Sequence, residues 1–152
     1  MTPAWTVNLG QRLIKSPKMT FVDAGLACHL MGLDAERLLH DPDLAGRVLE
    51  NFVIAELYKQ LSWCGFRVSI YHFRSVKGQE VDVVLEDAQG RLVGIEVKLS
   101  SSGAAKHFSG LKVLRELAGE RWIAGVVLYT GEEVVPFGEN LWAAPISALW
   151  EQ

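Results

Sequence analysis

The chain has 152 residues, enough for one domain with its own core, and 49% hydrophobic against 22% charged residues excludes a disordered segment. A formal net charge of −3 excludes a protein that coats nucleic acid through bulk charge and leaves room only for a local basic patch. No apolar run reaches the ~18 residues of a membrane span, no signal peptide is visible, and neither GxxxxGK(S/T) nor a strand-linked GxGxxG offers a nucleotide site.

Residues 1–18, with Pro3 and Pro17 and no clean periodicity, read as a linker or arm at the end of a preceding module, leaving 19–152 as a single domain. "MTFVDAGLACHLMGL" (19–33) starts extended and turns helical, with Asp23 as N-cap. The polar stretch 34–44, interrupted at Pro42, reads as a surface excursion. From about Ala45 to Cys64 the period is helical, with Val48, Leu49, Phe52, Val53, Leu57 and Leu61 as the apolar stripe and Gly65 as the stop. Strand signals follow at 66–74, 79–87 and 91–100, the last two joined by the turn "DAQG".

After the loop "SSGAA", a helix near 104–118 carries Phe108, Leu111, Leu114 and Leu117. "WIAGVVLYT" (122–130) is continuously apolar, as a strand buried on both faces must be. The tail "NLWAAPISALWEQ" offers a short strand and a helical turn. This order, helix, three strands, helix, strand, predicts a mixed α/β sheet with helices on both faces. Trp63, Trp122, Trp142 and Trp150 stand singly in apolar contexts and read as core or interface packing. Cys28 and Cys64, outside any CxxC spacing, read as reduced, buried thiols of a cytoplasmic protein.

The chemistry concentrates in "GQEVDVVLEDAQGRLVGIEVKLS" (78–100). Side chains two apart on a strand share a face, so Glu80 aligns with Asp82 and Glu96 with Lys98. Paired strands lie about 4.8 Å apart, close enough for Asp82 and Glu96 to converge on one cation. Mg²⁺ takes one or two carboxylates plus waters and a substrate phosphate oxygen, and a neighbouring lysine can orient the attacking water. The competing reading is an ordinary solvated face on which Lys98 pairs with Glu96 or Asp82 for ~0–1 kcal/mol. Against it, charges embedded in a central apolar hairpin are costly and need a reason.

"EVD" followed by "EVK", behind a helix bearing an acid, resembles the PD-(D/E)xK nuclease-like superfamily, which includes archaeal Holliday-junction resolvases. More closely, "NLGQRLIKSPKMTFVDAGLACHLMGL", "LENFVIAEL", "YHFRSVKGQEVDVVLE", "GIEVKLS" and "APISALW" together resemble the DUF4143 domain, the C-terminal part of a large group of prokaryotic AAA+-type ATPases. That resemblance implies a restriction-endonuclease-like fold of core order αβββαβ and puts the helix acid at Glu50, the second acid at Asp82 and the third motif at Glu96 and Lys98. Mg²⁺ or Mn²⁺ would be held by Asp82 and Glu96 with the Val97 carbonyl and Glu50, and Glu80 is a supplementary ligand candidate. It further implies DNA as substrate, and an ATPase module and a winged-helix-like segment ahead of this domain, so that the chain is expected to be an excised C-terminal part.

Glu50 also fits a first-turn acid favoured by the helix dipole. Arg74, Lys77, Lys106 and His107 could line a groove for phosphates, with a solvated helix face as the alternative for Lys106 and His107. Two further functional readings stand beside the nuclease: a catalytically inactive DNA- or protein-binding module of the same fold that regulates an ATPase, and a homodimeric scaffold.

Overall fold

The computed structural model describes residues 1–8 and 16–151; residues 9–15 of the expected arm and residue 152 lie outside them. Six strands form one sheet: β1 (Val68–Arg74), β2 (Glu80–Asp87), β3 (Leu92–Lys98), β4 (Trp122–Tyr129), β5 (Val135–Gly138) and β6 (Leu141–Pro145), in the order β1-β2-β3-β4-β6-β5. β1 to β3 form an antiparallel meander, β4 runs parallel to both β3 and β6, and β5 closes the edge antiparallel to β6. The expected mixed α/β sheet is therefore present. The short β5 was not expected, since Pro136 breaks its apolar run; proline is tolerated there because the strand is an edge.

Helices cover both faces. α1 (Ala24–Leu30) is capped by Asp23, whose carboxylate accepts the Leu26 N–H at 2.7 Å, as its sequence predicts. The stretch 34–44 lies at the surface as expected but is helical, not irregular. Asp34 caps a short helix α2 (Ala35–His40), and Asp41 then caps α3 (Pro42–Trp63) with Pro42 in its first turn, where proline has no hydrogen bond to lose. α3 ends at Cys64 in extended backbone (φ −71, ψ 141), so no left-handed glycine stops it. α4 (Ser109–Ala118) follows a tight turn at Ala105–Phe108.

On the α3 face, Val53, Ile54 and Leu57 pack on Ile70, Val83, Ile95, Val97 and Leu128. On the α4 face, Phe108, Leu111, Leu114 and Ala118 pack on Phe73, Val81, Val84, Leu92 and Val127. Neighbouring Val127 and Leu128 fall in opposite clusters, as expected for a strand buried on both sides. Leu117, expected on the buried stripe, is half exposed, as is Trp150, which tilts against Phe52; Trp63 is 72% exposed. Both cysteines are free and only partly buried.

The first residues are more than a linker. Thr2 and Trp5 are fully buried, and Trp5 belongs to the α4-side core. Its ring meets Phe73 edge-on at 6.2 Å, and the Arg121 guanidinium lies 5.5 Å from its centroid. The arm runs parallel to the outer edge of β1: the His72 N–H donates to the Pro3 carbonyl (3.0 Å) and the Trp5 N–H to the His72 carbonyl (2.7 Å). No helix among the described residues is long and apolar enough to cross a membrane.

Candidate functional site

The site begins with an irregularity in β2. Tyr71 pairs with Val84 and Phe73 with Val81, so His72 alone faces both Asp82 and Val83. That extra residue is a bulge, which re-aims the side chains beside it. Its effect is visible in the packing: Val81 and Val84 both join the α4-side cluster, while Val83 lies on the α3 side. Strict alternation therefore fails at Asp82.

Asp82 is 8% exposed and its Oδ2 accepts the Val97 N–H of β3 at 2.9 Å. The β2–β3 ladder ends at Val83–Ile95, and one step beyond it the carboxylate bridges the two strands. Glu96, also 8% exposed, is next to it in charge if not in ladder register. Burial first, and then the Asp82 charge, raise the Glu96 carboxyl from 4.5 to about 7, against the opposing pull of Lys98. Lys98 Nζ holds Glu96 Oε1 at 2.6 Å, so these two share a face as expected. Glu96 Oε2 is buried with no hydrogen-bond partner. A buried carboxylate oxygen without a partner is costly to leave charged, in keeping with the raised Glu96 pKa.

Glu50 comes from α3. Because that helix starts at Pro42, Glu50 lies two turns inside it, and the first-turn explanation for this acid falls away. Burial, then the Asp82 charge, raise its pKa, with Lys18 opposing. Its ion-pair partner is Lys18, whose Nζ also lies 3.6 Å from Asp82 Oδ1. Burial alone would lower the Lys18 pKa; the hydrogen bond to Glu50 and the charges of Glu50, Asp82 and Glu80 overcome it and raise the value. Glu80, half exposed, is turned to Arg74 at 3.0 Å.

Two cavities flank Asp82 and Glu96. One, of about 530 Å³, is lined by Lys18, His72, Arg74, Glu80 and Asp82. The other, of about 470 Å³, is lined by Lys77, Glu80, Glu96, Lys98, Lys106 and His107. All four proposed phosphate contacts, Arg74, Lys77, Lys106 and His107, thus border one or other cavity. Burial and then the charges of Lys106 and Lys98 lower the His107 pKa, which disfavours an imidazolium there.

Sequence reasoning missed Lys18 and Asn51. Asn51, next to Glu50 on α3, grips the backbone of Phe21 with both ends of its amide: Oδ1 accepts the Phe21 N–H at 2.8 Å and Nδ2 donates to the Phe21 carbonyl at 3.2 Å. The clamp fixes the strand-like stretch that carries Lys18. The available signal was the unbroken "SPKMTF" beside "LEN", which no local pattern links.

A model of the family described as "Domain of unknown function (DUF4143)" matches residues 45–149. "Uncharacterized protein Mb2031c" of Mycobacterium bovis and "Uncharacterized protein Rv2008c" of Mycobacterium tuberculosis are each 28% identical over 150 residues, 98% of this chain and 32% of theirs. The chain thus spans about a third of the length of these curated relatives. Among solved structures, an assembly of Thermococcus gammatolerans McrB AAA+ hexamers with bound McrC contains a chain that matches 66% of this one over 27% of its own length, at TM-score 0.47 and 11% identity. A likeness of that size assigns neither fold nor function.

Proposed function

The chain belongs to the DUF4143 family, and from that premise we propose that it is a divalent-metal-dependent nuclease-like domain of the restriction-endonuclease-like, PD-(D/E)xK type. The observation that carries the reading is Glu96 Oε2, buried without a partner beside the Asp82 carboxylate. Two carboxylates with room for water and phosphate suit Mg²⁺ or Mn²⁺. Asp82 and Glu96 would hold the ion, with the Val97 carbonyl and Glu50 as further oxygen donors. Such an ion supplies positive charge against a phosphodiester and its leaving oxygen.

The chain's own residues do the rest. Lys98, fixed by Glu96, orients the attacking water and offsets charge that develops on the phosphate. Arg74, Lys77, Lys106 and His107 hold backbone phosphates, which position DNA without reading its sequence. The whole protein would place this domain behind an ATPase module, as the family resemblance implies.

A second reading is a catalytically inert DNA- or protein-binding module of the same fold. It is favoured by the lysine partners that Glu50 and Glu96 already carry, and by the absence, among the described residues, of any group of three His, Cys, Asp or Glu side chains arranged to hold a metal. Calorimetric titration with Mn²⁺, together with cleavage assays on single-stranded, double-stranded and branched DNA, separates the two. The nuclease reading expects binding and cleavage in the wild type, both lost in Asp82→Asn; a wild type that neither binds nor cuts leaves the inert module.

A further inference from the structure

We propose that Lys18 is the resident counter-cation of this site, and that a divalent metal binds only by displacing its ammonium from Glu50 and Asp82. The inference rests on the metal reading above and adds a positioning residue that controls how tightly metal is held.

Lys18 is placed, not merely nearby. Its N–H donates to the Thr2 carbonyl at 2.9 Å and its carbonyl accepts the Thr2 N–H at 2.8 Å, and Thr2 is fully buried. Trp5, three residues on, anchors the arm in the core. On the other side, the Asn51 amide clamps Phe21. The backbone of Lys18 is therefore held at both flanks, and its side chain reaches the acids of the site. The ammonium touches Glu50 and approaches Asp82, and both of these acids are among the oxygen donors that the metal reading assigns to the ion.

Charge balance makes the two cations alternatives. Three carboxylates, Glu50, Asp82 and Glu96, face two ammonium groups, Lys18 and Lys98. A dication added beside both lysines would overcharge the cluster, and like charges at this range repel strongly in a half-buried site. With Lys18 moved aside, the charges of the ion and Lys98 balance those of the three acids. The Lys18 side chain is 34% exposed and borders the 530 Å³ cavity, so it has space in which to turn away.

Two measurements on the intact chain test this. Mn²⁺ calorimetry on Lys18→Met should give a Kd on the order of tenfold tighter than wild type, a gain of about 1.4 kcal/mol. Lys18→Arg, which keeps the charge, should stay near wild type. Asn51→Ala, which loosens the arm without removing charge, should shift the Kd the same way by less, and it serves if Lys18→Met does not fold. Separately, acylation of Lys18 by a limiting amine-reactive acetyl ester, mapped by peptide mass spectrometry, should rise several-fold on adding Mg²⁺. Lys59, paired with Glu56 at 2.5 Å elsewhere on α3, should not respond. Equal or weaker metal affinity in Lys18→Met, or unchanged acylation while metal binds, overturns the inference and leaves the nuclease reading standing. No metal binding in wild type or variant overturns both.

Discussion

Replacing Trp5 by alanine asks whether the arm is part of the domain or an ornament on it. The indole is fully buried, so the substitution removes most of the ~150–250 Å² that a tryptophan hides. At about 25 cal/mol per Å² that is ~4–6 kcal/mol, in line with the 3–5 kcal/mol typical of Trp→Ala in cores. The void would open beside Phe73, in the α4-side core, where close packing leaves neighbours little room to collapse into it. A loss of ~4 kcal/mol is a large part of the 5–15 kcal/mol that holds a domain together. For a chain of this length it should lower Tm by about 8–16 °C. Urea and thermal unfolding give both numbers, with Val7→Ala, at a 56% exposed position, as the control expected within ±0.5 kcal/mol. A Trp5→Ala loss below ~1 kcal/mol would refute the reasoning, because the arm would then detach without disturbing the core.

The raised Glu96 carboxyl predicts a pH dependence in metal-free protein. Its folded pKa, about 7, lies above the ordinary 4.5, so the folded state holds the proton more tightly. Its contribution is fully present below pH 4.5 and is lost as pH rises through 7, up to about 3 kcal/mol by linkage. Unfolding curves of wild type against Glu96→Gln should therefore diverge between those values, and parallel curves would rule the shift out. Gly110→Ala should destabilise by ~1–3 kcal/mol, since a Cβ there overlaps the Glu80 carbonyl oxygen, a backbone atom of β2 that cannot swing away. Urea titration checks it, and an unchanged midpoint would mean that α4 packs farther from β2.

The core elements were legible because each carries its own period: alternation in β2 and β3, a continuous apolar run in β4, an apolar stripe in α3. What failed was local ambiguity. "HDPDL" reads equally as a break or as an Asp cap with proline in the first turn, and only the register of the following stripe decides. Trp5 stands alone, so no period announces its burial. The bulge opposite His72 is likewise silent, and it is what breaks the alternation used to place Asp82. Within the site, Asp82, Glu96 and Lys98 sit close in sequence and share motifs, whereas Asn51 and Phe21 meet across 30 residues. A contact of that span leaves no local trace.

The arm on β1 bears on how copies of this chain can meet. A sheet edge with free N–H and carbonyl groups invites another strand to add on. At one end of this sheet Pro3 and Trp5 already use both backbone groups of His72, in the midst of the edge strand. At the other end β5 is four residues long and carries Pro136, which has no N–H to offer. With both rims blunted, lateral growth of the sheet is disfavoured. Two of these domains joined edge to edge into a continuous twelve-stranded sheet are correspondingly disfavoured.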